Sequence, residues 1–89
     1  MFEWDEEKRQ NNLRKHGLDF IDAKEIWSGA TVELPSPQGQ HGEERLIAIG
    51  RLHNRCITVI YTWRGNNRRL ISARKAGKNE QKRYDDEIG

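Results

Sequence analysis

Apolar and polar residues alternate most regularly in the second half of the chain. Ile57–Trp63 and Leu70–Ala76 are rich in β-branched or other apolar residues, and Gly65–Asn67 between them tolerates positive φ angles. A period of two also runs through Glu43–Leu52, and Ala30–Leu34 adds a shorter run. Because most of the connections are short, the pattern predicts strands that follow one another in an antiparallel meander.

Helical signals occupy the two ends of the chain. Asp5 is a good N-cap for a mostly polar helix over Glu6–His16. Apolar residues at i, i+3, i+6 and i+7 predict a short amphipathic helix over Phe20–Trp27, lying on the sheet. A last helix is predicted over Glu80–Glu87, with Asn79 as its N-cap.

These elements predict an α+β fold. It has a small antiparallel sheet of about four strands, two N-terminal helices and one C-terminal helix, in a single domain over residues 1–89. Met1–Trp4 is either a short edge strand or a lead-in, and the Pro/Gly-rich stretch Pro35–Gly42 is a loop. No apolar run approaches the ~20 residues that span a membrane, and no secretory signal is visible, so we expect a cytoplasmic protein.

Charge is distributed unevenly along the 89 residues, although the net charge is only +2. Residues 1–44 contain ten Asp or Glu and five Lys or Arg, whereas residues 45–89 contain four and eleven. One interpretation is a basic surface that binds an anionic partner, with an acidic surface elsewhere. The alternative is that the two halves interleave in space, so that their fields cancel.

Arginines concentrate on the predicted hairpin, where polar and aromatic residues accompany them. Guanidinium groups bind phosphate in a bidentate fork, and aromatic rings stack on bases, so the combination favours nucleic acid. A strand directed at solvent could also carry these charges without binding anything. The set is Arg45, Arg64, Arg68, Arg69, Ser72, Arg74 and Lys75, with Tyr61, Trp63 and Tyr84 nearby. The register is not fixed, so the sequence leaves open whether Arg74 or Lys75 points into a cleft.

For single-stranded RNA, the same residues can support catalysis as well as binding. Cleavage by the ribose 2′-OH needs a base, an acid and stabilisation of a dianionic phosphorane, and arginines supply the stabilisation. Candidates for proton transfer are His16, Glu44 and Lys15. Each has a structural alternative, because His16 and Lys15 complement a helix C-terminus and Glu44 can pair with Arg45.

The sequence offers little for other chemistries. The three histidines lie far apart without zinc-ligand spacing, and there is no phosphate-binding loop or dinucleotide fingerprint, so we expect no metal and no cofactor. Cys56 is alone, which excludes an intrachain disulfide and favours a buried, inert thiol.

Four pieces of the chain carry a family resemblance. They are F-E-W-D at Phe2–Asp5, N-L-R-K-H-G at Asn12–Gly17, G-E-E-R at Gly42–Arg45 and R-L-I-S-A-R-K-A at Arg69–Ala76. With these pieces in this order, the chain resembles the BrnT toxins of bacterial type II toxin–antitoxin systems. The resemblance spans nearly the whole chain, and the K-H-G and I-S-A-R-K-A pieces are its more specific parts.

The resemblance implies a RelE-like fold and a cytoplasmic toxin that cleaves RNA without a metal. It also implies a BrnA-like antitoxin that covers the toxin and contacts DNA, so that the toxin meets DNA only indirectly. The residues assigned to the active surface are Arg45, Arg64, Arg74, Glu44 and His16 as catalytic groups, and Lys15, Arg68, Arg69, Ser72, Lys75 and Tyr84 as RNA-binding groups. The alternatives are a non-catalytic nucleic-acid-binding module and a partner-binding module that use the same basic hairpin.

Overall fold

A five-stranded sheet forms the centre of the computed structural model, which describes residues 1–37 and 43–89. The strands are β1 (Phe2–Trp4), β2 (Val32–Pro35), β3 (Arg45–Leu52), β4 (Arg55–Arg64) and β5 (Asn67–Lys75). Their order across the sheet is β1-β5-β4-β3-β2. Strands β2 to β5 form the predicted antiparallel meander. The last five residues of the predicted loop Pro35–Gly42 lie outside the described residues.

The α+β class is confirmed, but the strand count and the strand directions need correction. The sheet has five strands rather than about four, and it is mixed because β1 pairs with β5 in parallel. Strand β1 has three residues, too few for a periodic pattern, and its partner lies more than sixty residues away in the sequence. Its pairing therefore depends on tertiary contacts that no local pattern displays.

Helix α1 (Glu6–His16) has the predicted bounds. The Asp5 carboxylate accepts a hydrogen bond from the Lys8 amide at 3.1 Å, and Gly17 ends the helix with φ +70°. The next segment is shorter than predicted, because α2 covers only Phe20–Ala23 and a 3₁₀ helix follows over Lys24–Ser28. The buried residues of this segment recur every three positions, a spacing that the three-residue turn of a 3₁₀ helix aligns on one side.

Helix α3 (Lys78–Glu87) starts two residues earlier than predicted, and Gly77 rather than Asn79 is its N-cap. The Glu80 carboxylate explains this start, since it accepts a hydrogen bond from the Gly77 amide at 2.8 Å. None of the helices in the two described segments is long and apolar enough to cross a membrane.

The two faces of the sheet have different environments. The face covered by α2 and the 3₁₀ helix, here called the helix face, holds the main core. Its buried strand residues are Ala48, Leu52, Ile57, Val59, Tyr61, Leu70 and Ala73. Gly50 allows the 3₁₀ helix to come close, because a Cβ atom there would lie 2.8 Å from the Ile26 Cβ.

The opposite face is here called the arginine face, and residues 1–37 and 43–89 cover it only at one end. There Tyr84 of α3 packs against Val32, Ile49, Cys56 and Ala76. The remainder of this face carries the arginine side chains described below.

A β-bulge in β5 decides which of its side chains lie on each face. Ile60 pairs with Ser72 and Tyr61 with Leu70, so Ile71 is an extra residue without a partner on β4. The bulge shifts the alternation by one position. Leu70 and Ala73 therefore both lie in the core of the helix face.

Asn12 of α1 covers the outer edge of β5 beyond the end of β1. Its Nδ2 donates to the carbonyl oxygens of Ala73 and Leu18, each at 2.9 Å, and its Oδ1 accepts from the Ala73 amide at 3.0 Å. The side chain is 7% exposed, so these bonds satisfy groups that water cannot reach easily. Asn12 thus ties the polar helix α1 to the sheet.

We predict that Asn12→Ala lowers the free energy of unfolding by about 2–3 kcal/mol, because it leaves buried backbone groups unpaired. Urea denaturation followed by tryptophan fluorescence measures the change. Asn11→Ala is the matched control, since Asn11 is exposed and neighbours Asn12 on the same helix. Equal stabilities of the two variants would contradict the role given to Asn12.

Candidate nucleic-acid interface

Cross-strand pairing brings the predicted phosphate-binding arginines onto one face. Arg45 pairs with Thr62, and Thr62 pairs with Arg69, so the three residues form a row across β3, β4 and β5. Adjacent strands lie about 4.8 Å apart, which places Arg45 and Arg69 roughly 10 Å from each other. Arg64 continues β4 beyond this row, on the same side as Thr62.

Further along β5, Ser72 and Arg74 point to the same arginine face, opposite Ile60 and Thr58. The structure therefore groups five of the eleven predicted site residues: Arg45, Arg64, Arg69, Ser72 and Arg74. The bulge at Ile71 produces this grouping, since an unbroken alternation would send Arg69 and Arg74 to opposite faces.

The four predicted arginines of this face each contact a carboxylate. Arg69 pairs with Glu3 at 2.7 Å and Arg64 lies 3.9 Å from the same carboxylate. A hydrogen bond from Asn67, and then one from Arg69, lowers the pKa of Glu3. Because a guanidinium has five N–H donors, these pairs leave donors that a phosphate can use.

At the start of β3, Glu43 rather than Glu44 pairs with Arg45, at 3.3 Å. This corrects the alternative in which Glu44 was the partner of Arg45. Glu44 is exposed, and its backbone oxygen accepts a hydrogen bond from the Thr62 hydroxyl at 2.7 Å. Its carboxylate lies at the end of the sheet.

Arg74 forms a bidentate ion pair with Glu80 of α3. Its two terminal nitrogens meet the two oxygens of Glu80 at 2.7 and 2.9 Å, a bidentate geometry. The Glu80 carboxylate also accepts from the Thr58 hydroxyl at 3.0 Å and from the Gly77 amide. The hydrogen bonds from Arg74 are the main reason that the pKa of Glu80 falls to about 2. Arg74 remains 37% exposed, so its guanidinium is both oriented and accessible.

A pocket of about 250 Å³ borders the arginine face along the outer edge of β5. It is lined by Lys8, Asn11, Asn12, Lys15, His16, Ile71 and Ser72. The α1 residues in this lining recur at helical spacing, so one side of the helix faces the pocket. The pocket brings His16 and Lys15 close to Ser72, which connects them to the arginine face.

Lys8 is a pocket residue that the sequence analysis did not select. Helical spacing could have identified it, because Lys8 lies two turns before Lys15 and therefore on the same side of α1. The sequence alone did not show that this side of the helix borders the basic strand.

Three predicted site residues lie elsewhere. Tyr84 is 5% exposed and donates its hydroxyl proton to the Ala30 carbonyl at 3.2 Å, so its ring anchors α3 and cannot stack on a base. Lys75 is exposed but pairs with Ile57, a core residue of the helix face, so it points away from Arg74. This placement answers the question that the sequence left open about Arg74 and Lys75.

Arg68 is the third exception, because it lies on the helix face among three aromatic rings. Its guanidinium carbon is 4.6 Å from the ring centres of Trp27 and Trp63 and 5.4 Å from that of Tyr61. The Glu33 carboxylate lies 3.6 Å from a terminal nitrogen of Arg68 and also accepts a hydrogen bond from the Tyr61 hydroxyl. Burial, and then this hydrogen bond, raises the pKa of Tyr61 to about 12. Arg68 is therefore a packing residue rather than a phosphate ligand.

Metal-ligand groups are not clustered in the described ranges. Among residues 1–37 and 43–89, no three His, Cys, Asp or Glu side chains are grouped so that they could hold a metal ion. Cys56 is a buried free thiol, and burial is the main reason that its pKa is raised.

Comparison with known proteins identifies relatives over most of the chain. Residues 4–80 match the family model of the ribonuclease toxin BrnT of type II toxin–antitoxin systems. A crystal structure of the Brucella abortus ribonuclease toxin BrnT is 36% identical in sequence and superposes with a TM-score of 0.69, covering 86% of this chain and 96% of that one. No curated protein sequence matches the chain.

The ion pair between Arg74 and Glu80 predicts a specific dependence of stability on pH. The pKa of Glu80 lies at about 2 in the folded protein against an ordinary value of 4.5, so folding favours the carboxylate. This stabilisation is fully present above pH 4.5 and is lost as the pH falls from 4.5 towards 2. We predict that Glu80→Gln flattens this part of the stability curve and costs about 1–3 kcal/mol at pH 7.

Chemical denaturation at a series of pH values between 2 and 7 measures both effects. Glu87→Gln is the matched control, because Glu87 pairs with Arg83 at 2.8 Å on the same helix but is half exposed. If Glu80→Gln and Glu87→Gln gave the same curve, the Arg74–Glu80 pair would not have the stabilising role assigned to it.

Proposed function

This chain belongs to the BrnT family of ribonuclease toxins of type II toxin–antitoxin systems, and we propose that it cleaves RNA without a metal ion through its arginine face and the pocket beside α1. The observation that carries this proposal is the continuity of the two surfaces at Ser72. Ser72 lines the pocket and also lies on the strand face that carries Arg69 and Arg74.

The arginines supply the charge that the reaction needs. When the ribose 2′-OH attacks the adjacent phosphorus, two negative charges develop on the phosphorane oxygens, and preoriented donors lower the energy of that state. In the proposed arrangement Arg74 contacts the scissile phosphate. Arg64 and Arg45 hold phosphates further along the RNA, because Arg74 is level with Thr58 on β4, roughly 20 Å from Arg64 and roughly 13 Å or more from Arg45 along the sheet. The bidentate contact with Glu80 supports the role of Arg74, since it fixes the guanidinium before substrate arrives.

Proton transfer is assigned to His16 in preference to Glu44. His16 lines the pocket next to Lys15 and Ser72, where a nucleotide would be partly enclosed. Glu44 is exposed at the opposite end of the face. An imidazole nitrogen can accept the 2′-OH proton, and the protonated ring can then donate one to the leaving oxygen.

As a member of a type II system, the toxin has an antitoxin partner and an RNA substrate. We infer that the antitoxin is BrnA-like, that the toxin acts in the cytoplasm and that the antitoxin alone contacts DNA. Half-buried Leu34, Ile47 and Ile60 support a protein partner, because they form an apolar row across the arginine face between its charged ends. We also propose a relationship of the fold to RelE-type ribonucleases, on the basis of helices packed on an antiparallel meander.

We predict that the purified protein cleaves single-stranded RNA in the presence of EDTA and leaves 2′,3′-cyclic phosphate ends. Arg74→Ala and His16→Ala are expected to lower the cleavage rate by at least about 100-fold, the scale of an oxyanion donor or a general base. The assay follows a labelled oligonucleotide and maps its product ends. Arg55→Ala is the charge-matched control, because Arg55 is exposed and pairs with Leu52 of the helix face, so it points away from the arginine face.

Folding is checked separately for each variant, since Arg74→Ala leaves Glu80 without its ion-pair partner. The double variant Arg74→Ala/Glu80→Gln removes the unpaired charge and is expected to melt closer to wild type while staying inactive. Cleavage that needs an added divalent cation would contradict metal independence. RNA binding without cleavage under any condition would instead indicate a non-catalytic binding module.

A further inference from the structure

Trp63 is unusually accessible for an aromatic residue of this protein. It exposes 47% of its surface, whereas the other aromatic side chains of the described chain are half-buried or buried. It belongs to β4, but its side chain points to the helix face, opposite to that of Thr62. Nearly half of the residue's surface is therefore accessible to a ligand.

Neighbouring side chains hold the Trp63 ring in place. The Tyr61 ring meets it edge-on, with ring centres 5.9 Å apart and an interplanar angle of 83°. The Arg68 guanidinium covers it at 4.6 Å and is itself fixed by Glu33 and Trp27. The indole is therefore a preoriented surface, which lowers the entropic cost of stacking a ligand on it.

A depression of about 250 Å³ lies beside Trp63, where β3 begins. It is lined by Glu43, Glu44, Leu46, Thr62 and Trp63. Its volume is below the roughly 300–1,000 Å³ of pockets that hold drug-sized molecules, as suits one small planar ring. The two carboxylates supply hydrogen-bond acceptors, and Arg45 balances the charge of Glu43 at 3.3 Å.

The depression adjoins the arginine face at the end of the sheet. Thr62 lines the depression and also lies between Arg45 and Arg69 in the cross-strand row. Arg64 follows Trp63 directly along β4. A ligand that carries both phosphates and aromatic rings can therefore contact the arginines on one face and the indole on the other.

We propose that Trp63 and the adjoining depression form a nucleobase subsite for single-stranded RNA. One base stacks on the indole while Arg45, Arg64 and Arg69 hold neighbouring phosphates. The carboxylates accept hydrogen bonds from an exocyclic amino group, so the subsite favours cytosine, adenine and guanine over uracil. This assignment rests on the proposed ribonuclease function, which it extends by naming a determinant of base preference.

Binding of 2′-O-methyl RNA octamers tests the subsite with the wild-type protein, because these oligomers lack the attacking hydroxyl. Fluorescence anisotropy gives the dissociation constants, and quenching of tryptophan emission reports stacking. We expect Trp63→Ala to weaken binding about 5- to 100-fold, the effect of one lost base stack, with an unchanged salt slope. Trp63→Phe is expected to restore part of the affinity but not the quenching, and Ile21→Ala, an equally exposed apolar residue, is expected to bind normally.

Base preference is tested with two octamers that differ only in cytidine or uridine, and with a series in which one position is abasic. The wild-type protein is expected to bind the cytidine octamer more tightly than the uridine octamer, and to bind less tightly when one particular position is abasic. The Glu44→Ala variant is expected to bind the cytidine and uridine octamers equally. The proposal is overturned if Trp63→Ala binds every octamer like wild type, or if it weakens only the binding of the antitoxin. If wild type neither binds octamers nor cleaves unmodified RNA, the proposed function itself is wrong.

Discussion

The extra residue Ile71 in β5 is the constraint on which the rest of the structure depends. With a regular alternation, Leu70 and Ala73 would lie on opposite faces of the sheet, and one of them would leave the core. The bulge keeps both in the core and turns Arg69, Ser72 and Arg74 to the same open face. One inserted residue thus satisfies the packing of the helix face and assembles the basic surface at the same time. This is consistent with the frequent occurrence of bulges next to functional sites.

Pairing between the two halves of the chain explains how so many arginines are tolerated. Carboxylates of the acidic N-terminal half contact arginines of the basic half, as in Glu3 with Arg69, Glu33 with Arg68 and Glu43 with Arg45. The uneven distribution of charge along the sequence therefore becomes interleaved charge in space, the alternative interpretation of the composition. A phosphate must compete with these carboxylates or use the remaining donors, so the arginines are held in position without being permanently blocked.

The sequence predicted what local patterns determine, and it missed what depends on distant contacts. The caps at Asp5 and Gly17 and the alternation in β3 and β4 lie within a few residues, so α1 and the meander were predictable. The parallel pairing of β1 and the bonds of Asn12 to Ala73 join segments far apart in the chain, and no periodicity reports them. The bulge lies within the hairpin, but it interrupts the alternation of β5, so a regular pattern does not report it either. Arg68 shows the consequence for the site. Arg68 and Arg69 are the same residue type and are consecutive in β5, so their side chains point to opposite faces. Arg68 therefore lies among aromatic rings instead of on the arginine face.

The same alternation gives β4 an unusual role at the end of the sheet. Within the sheet, residues that point to opposite faces are separated by the full layer of backbone and cannot contact one ligand. Beyond the last β3–β4 pair, between Arg45 and Thr62, β4 has no partner on its β3 side among the described residues, and Trp63 and Arg64 project to the two faces at this free edge. A flexible single strand of RNA can pass around this end, with phosphates on one side and a base on the other, whereas a rigid duplex cannot. In the proposed binding mode, this free edge therefore selects single-stranded over double-stranded RNA by its shape, independently of which side chain transfers the proton.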